Sequence, residues 1–170
     1  MIELLYPRIY VASLADIPLE ALRRERIRAY ILDLDNTLTM WNSNELAPGA
    51  REWLEDLRAM GGKACLLSNN HQRRVAAVAE ALDIPSVHKA GKPRRRAFER
   101  ALEQLSTPHQ ETAVVGDQVF TDILGGNRMG MLTILVKPIH PREYFGTRLV
   151  RKVERLVVKR LPQGPTAASR

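Results

Sequence analysis

Short apolar runs that stop at small polar clusters recur along this chain, and that rhythm limits what it can fold into. Tyr30–Leu32 runs into Asp33, Asp35 and Asn36; KACLL, residues 63–67, runs into Ser68 and Asn69; TAVVG, residues 112–116, runs into Asp117. A run that is apolar at every position, rather than at every second one, belongs to a strand buried on both faces. The stretches between have helical spacing. Residues 14–26 read as a helix feeding the first strand. Pro48 opens a second, with Trp53, Leu54 and Leu57 on one face and a stop at Gly61-Gly62. A third, 72–83, turns Val75, Val78, Ala79 and Leu82 inward, and a fourth, 93–105, does so with Phe98, Ala101, Leu102 and Leu105. SVHKA, 86–90, reads as a short strand, 121–130 as a short helix closed by glycine, and 131–136 as a last strand. Strands alternating with helices predict an α/β fold with a mostly parallel sheet and right-handed crossovers.

At 170 residues the chain is long enough to bury a core without staples. Residues 1–162 are expected to form one domain and 163–170 a frayed tail. Cys65 is the single cysteine, so no intramolecular disulfide forms, which fits a reducing compartment. The opening residues carry no basic stretch followed by a long apolar one, so no secretory signal is read, and no run approaches the length of a membrane span. The expected location is cytoplasmic. The net charge of +7 sits at one end: of 26 basic and 19 acidic residues, nine basic and two acidic ones follow Val136, leaving 17 of each before it. A basic tail suits an anionic surface, either membrane or nucleic acid.

The polar residues share one location. Asp33 and Asp35 follow the first strand, Ser68 and Asn69 the second, and Asp117 and Asp122 a later one, while Lys92 lies in the loop before a helix. The carboxyl edge of an open parallel sheet is where ligands bind. Carboxylates packed within about 4 Å repel by roughly 1–4 kcal/mol per pair, so four of them call for a cation. All-oxygen ligation suits Mg²⁺ better than Zn²⁺, and His71, His88, His109 and His140 show no ligand spacing. Mg²⁺ beside a lysine is a phosphate-binding arrangement, in which one carboxylate attacks phosphorus and a second acts as acid and base.

Asp33-Leu34-Asp35-Asn36-Thr37-Leu38, then Ser68-Asn69-Asn70, then Lys92, then Gly116-Asp117 with Asp122, resemble in order the four motifs of the haloacid dehalogenase (HAD) superfamily of phosphatases. The resemblance implies a HAD-like, Rossmann-like three-layer sandwich. It implies that Asp33 is the nucleophile and Asp35 the general acid and base. Mg²⁺ would be held by Asp33, the Asp35 backbone carbonyl and Asp117, with Asp122 supporting it. Thr37, Ser68, Asn69 and Lys92 would hold the phosphoryl group. Dehalogenases of the superfamily lack the second aspartate and its ion-pumping ATPases carry threonine there, so Asp35 favours phosphate-ester hydrolysis.

Many members insert a cap domain that selects the substrate. Here only Thr39–Ala47 fills the first insertion point, and residues 71–91 are used by a helix and a short strand, so a capless, open site is expected. An open site suits a bulky substrate. The opening LYPRIYVASLADIPLEALRRERIRAYILDLDNTLTMWN, the stretch GDQVFTDILGGNRMGMLTILVKPI and the tail EYFGTRLVRKVER are similar to the YqeG-type subfamily IIIA phosphatases, which include phosphatidylglycerophosphate phosphatases. The implied substrate is a phospholipid headgroup. A helix at 147–161, with Leu149, Val150, Val153, Leu156 and Val157 opposite a basic face, would suit peripheral contact with an anionic inner membrane face or docking on the core. Two alternatives stay open: a phosphatase for soluble phosphomonoesters or phosphoproteins, and an RNA- or ribosome-binding module using the basic tail. The shortage of aromatic residues among the basic ones speaks against nucleic acid. Arg73, Arg74 and Arg94–Arg96 read as solvated helix starts, Cys65 as a packed hydrophobe, and Trp41 and Trp53 as packing residues.

Overall fold

The computed structural model of the chain describes residues 2–139. The basic helix expected at 147–161 and the tail at 163–170 lie outside the described residues. Among those described, six strands make one parallel sheet: β1 Ile9–Val11, β2 Ala29–Leu32, β3 Lys63–Leu67, β4 Ser86–Val87, β5 Thr112–Gly116 and β6 Leu132–Val136. Their spatial order is β1-β6-β5-β2-β3-β4, with β2 between β3 and β5. This is an α/β, Rossmann-like arrangement. No helix among the described residues is long and apolar enough to cross a membrane.

The sheet is covered on both faces because side chains alternate along each strand. Tyr30 and Leu32 of β2 face one core with α1 Leu19–Arg24, α2 Ala50–Ala59 and α3 Gln72–Ala81. Ala29 and Ile31 face the other, where α4 Arg95–Leu105 supplies Ala97, Phe98, Ala101 and Leu105. The Tyr30 and Trp53 rings meet edge to face with centroids 5.2 Å apart. Cys65 is fully buried in the second core, and burial pushes its thiol up to about 12. The aromatic and cysteine readings above thus hold for Trp53 and Cys65, whereas Trp41 stands exposed.

Short α5, Leu124–Arg128, packs close to α4 through Gly125. A Cβ there would run into the Phe98 ring, which is itself locked in the core. Gly125→Ala is expected to cost about 1–3 kcal/mol through overpacking, outweighing the helix-propensity gain of roughly 1 kcal/mol. Denaturant unfolding of the variant checks this; equal or greater stability would show that Phe98 can move aside.

Three elements differ from the sequence-based expectation. The helix expected at 14–26 is broken: a 3-10 turn at Leu14–Asp16 ends before Pro18, and α1 then runs only to Arg24. Ile17 is extended, as the residue before a proline prefers, and Pro18 has no N–H to continue a helix. The helix expected at 121–130 starts earlier, as a π-helical turn over Val119–Ile123 that passes into α5. Strand β1, not expected at all, pairs with β6 at the sheet edge.

Candidate active site

Everything at the site hangs on where β2, β3 and β5 end. Asp33 follows β2 directly, and its backbone N–H still donates to Val115 O at 2.9 Å, so the nucleophile candidate is held by the sheet ladder itself. Asp117 follows β5 directly, and Ser68 follows β3, with its N–H on Val87 O at 3.0 Å. All three side chains are buried. Lys92 comes from the loop before α4, where the Lys92–Pro93 peptide is cis.

Lys92 Nζ donates to Asp33 Oδ1 at 2.5 Å and to Asp122 Oδ1 at 2.6 Å, all three groups being nearly sealed from solvent. Burial alone would lower the lysine's affinity for its proton, but Asp122 and Asp33 overcome that and raise it, so Lys92 stays charged. Burial is also the largest influence on Asp33. It pushes the carboxyl above the ordinary carboxylate range, Lys92 opposes the shift, and Asp122 adds to it.

Asp122 caps no helix. It lies inside the π-helical turn, a feature often found at functional sites. Its Oδ2 accepts the Gln118 N–H at 3.2 Å while Oδ1 faces Lys92. Gly116 makes room for it, since a Cβ at 116 would collide with the Asp122 carboxylate.

Oxygens of Asp33, Asp117 and Asp122 all lie within 4.8 Å of one another. Three buried carboxylates around one lysine leave an excess of negative charge that a small hard cation would neutralise, and an all-oxygen donor set fits one. The side chain of Asp35 is not in that group. It turns the other way, accepting from Arg74 Nη2 at 2.5 Å, Asn70 Nδ2 at 2.9 Å and the Asn42 N–H at 3.1 Å.

Thr37 is buried, with its Oγ1 lacking a hydrogen-bond partner among the described residues. Ser68 Oγ accepts the Asn70 N–H at 3.1 Å. Asn69 is exposed, and both ends of its amide are engaged by the Lys92 backbone: Oδ1 accepts the Lys92 N–H at 2.8 Å and Nδ2 donates to Lys92 O at 3.4 Å. It therefore ties the loop after β3 to the loop that carries the lysine. Asp33, Asp35, Ser68, Asn69 and Lys92 line one open cavity of about 590 Å³, together with Asn70, Gln118 and Thr121. Residues 37–49 carry no helix or strand, only isolated bridges through Thr39 to Asp35 and Leu46.

Asn70 and Arg74 were missed as site residues. Asn70 sits inside the quoted motif, so its polar neighbours were the available signal. Arg74 had none, because an arginine at a helix start looks the same in sequence whether it meets solvent or a carboxylate.

A haloacid dehalogenase-like hydrolase family model matches residues 19–130. The protein named "Probable phosphatase YqeG" of Bacillus subtilis is 40% identical over 155 residues, covering 91% of this chain and 90% of that protein. "Phosphatidylglycerophosphate phosphatase 1, chloroplastic" of Chlamydomonas reinhardtii is 30% identical over 168 residues, covering 93% of this chain and 62% of that longer protein. Among solved structures, an uncharacterized protein from Listeria monocytogenes superposes with a TM-score of 0.55 at 19% identity, covering 77% of this chain and 98% of that one, a likeness of fold.

Proposed function

We propose, from the premise that this chain belongs to the haloacid dehalogenase-like hydrolases and is a phosphatase, that it converts phosphatidylglycerophosphate to phosphatidylglycerol through an aspartyl-phosphate on Asp33. The observation that carries the chemistry is Lys92 Nζ between the buried Asp33 and Asp122 carboxylates. With Oδ1 of Asp33 held by the lysine, Oδ2 attacks phosphorus while the bond to the leaving oxygen breaks. Asp35 gives that oxygen its proton, and the alcohol leaves. Water then attacks the phosphoryl group, Asp35 takes the proton from it, and the bond to Asp33 breaks to release phosphate.

Lys92, Ser68 Oγ and the unpartnered Thr37 Oγ1 bind the phosphoryl oxygens, and Asn69 holds the lysine loop in register with Ser68. Asp33, Asp117 and the Asp35 carbonyl would hold Mg²⁺, with Asp122 supporting the site. The ion would neutralise charge on the carboxylates and on the phosphoryl group.

Two features support a lipid substrate: the relative named for that reaction, and a 39–47 flap too short to build a cap domain. We read the chain as a single capless domain, and residues 147–161 as its contact with an anionic membrane. The test is phosphate release from phosphatidylglycerophosphate in mixed micelles, run beside p-nitrophenyl phosphate. Lipid turnover is expected with Mg²⁺, is lost in EDTA and returns when Mg²⁺ is restored. Turnover of the soluble ester alone would keep the chemistry and remove the lipid. Silence on both would remove the phosphatase mechanism as well.

A further inference from the structure

Arg73 and Arg74 are neighbours in sequence and opposites in structure. Arg73 is exposed, whereas the Arg74 side chain keeps only 15% of its surface in solvent. Its Nη1 donates to Asn42 Oδ1 at 2.9 Å. Its Nη2 donates to Asp35 Oδ1 at 2.5 Å and to Ser43 O at 2.9 Å. One guanidinium thus joins three segments: α3, which carries it, the loop after β2, which carries Asp35, and the flap, which carries Asn42 and Ser43. The flap closes a ring, because the Asn42 N–H also donates to Asp35 Oδ1 at 3.1 Å. Asn70 Nδ2 meets the other oxygen, Oδ2, at 2.9 Å. The Arg74 Nε–H is buried without a partner among the described residues. A side chain placed for its own hydrogen bonding would turn that group to water; here the fork is set by the carboxylate and the flap.

An acid that must reach a leaving oxygen needs its direction held within roughly 0.5 Å and 10–20°. Asp35 stands on a loop, beyond the last ladder hydrogen bond of β2, where an isolated bridge to Thr39 is the only strand-like hold on its backbone among the described residues. A planar fork contacting both the carboxylate and two flap groups supplies that hold, and a flexible ammonium would not.

We infer that Arg74 is a positioning residue: it sets the direction of the Asp35 carboxylate and couples that direction to the flap through Asn42 and Ser43. This rests on the phosphatase reading above, with Asp35 as the proton donor. Delivery of the proton to the leaving oxygen then depends on where the flap stands. A substrate that displaces Asn42 and Ser43 re-aims Asp35 through the same guanidinium.

The test exploits leaving groups. A p-nitrophenolate departs without a proton, whereas a glycerol-type alkoxide needs one, and kcat/KM covers only the steps up to cleavage of that bond. Arg74→Ala is expected to lower kcat/KM for an alkyl phosphomonoester such as glycerol 3-phosphate by about 100-fold, the lower end of what acid catalysis contributes. For p-nitrophenyl phosphate the loss is expected to be at least about tenfold smaller. In an Asp35→Ala background, Arg74→Ala is expected to cost nothing further, since residues acting as one unit are not additive. Arg74→Lys keeps the charge but not the fork, and falls between. A thermal melt accompanies each variant, and Arg74→Gln takes the place of the alanine variant if that one melts early. Equal losses on both esters, or losses that multiply in the Asp35→Ala background, overturn the positioning role. A wild-type protein silent on these esters and on phosphatidylglycerophosphate overturns the phosphatase reading instead.

Discussion

Asp33→Asn is expected to abolish phosphate release, by on the order of 10⁴- to 10⁶-fold, while the protein melts at the same temperature or higher. The rate falls because the amide cannot form the acyl-phosphate bond, and neither Asp35 nor Asp117 can take over. Asp35 faces Arg74 and Asn70, and Asp117 lies at the end of the neighbouring strand. The stability argument runs the other way. Asparagine keeps the shape of the side chain and removes one of three negative charges packed within 4.8 Å. Lys92 keeps its contact with Asp122 at 2.6 Å. Like charges near 4 Å cost about 4 kcal/mol each at an effective dielectric of 20, and that repulsion is relieved. Phosphate release and a thermal melt in EDTA, run on the same preparation, check both halves. A variant that keeps its rate removes Asp33 as nucleophile. One that loses its rate and also melts early shows that the Asp33–Lys92 pair is a net stabiliser.

Lys92→Ala is expected to do more damage to the fold than to any single contact. Removing one partner of a buried ion pair leaves the other charge uncompensated, at about 3–5 kcal/mol. Here two carboxylates lose the same lysine, and Asp117 stays beside them. Each kcal/mol shifts the melting temperature of a domain this size by roughly 2–4 °C, so the drop is about 6–20 °C. The same excess of negative charge should tighten the hold on a divalent cation. Mg²⁺ is therefore expected to raise the variant's melting temperature by more than it raises the wild type's, although activity stays lost because the phosphoryl group has no lysine. An equal Mg²⁺ effect on the two proteins would mean that the ion does not bind among these carboxylates.

How much of this was legible in the sequence depended on how local the cause was. KACLL and TAVVG are strands over the residues expected, because an apolar run bounded by glycine and polar residues carries its own signal. Val75, Val78 and Ala79 face the core, as does Phe98, because helical spacing alone sorts those faces. Asp33 and Asp117 could be singled out because position at a strand end is written in the chain order, and Lys92 and Asp122 through the motifs they complete. Pro18 divides the first helix, and that signal is local to the sequence, since proline has no N–H to continue a helix. Two features had no local trace. Ile9–Val11 is three residues long, and only its partner makes it a strand. Arg74 is charged and helical like Arg73, and only the fold of the flap onto α3 tells the two apart.

The edge pairing of β1 with β6 also sets an order of assembly. Ile9 lies beside Ile134, and the Arg8 N–H reaches Thr133 across 125 residues of chain. Asn127 Nδ2 holds the same opening segment through Leu4 O and Tyr6 O. Closing so long a loop is a late event, since its entropy must be met before the contact returns anything. On a ribosome β1, made before β2, has no partner among the described strands until nearly all of the described chain has emerged, while β2 and β3 can already pair. The opening residues therefore wait, and their docking marks the completed sheet: a chain cut short before Leu132 would leave Ile9–Val11 hanging as an unclaimed strand.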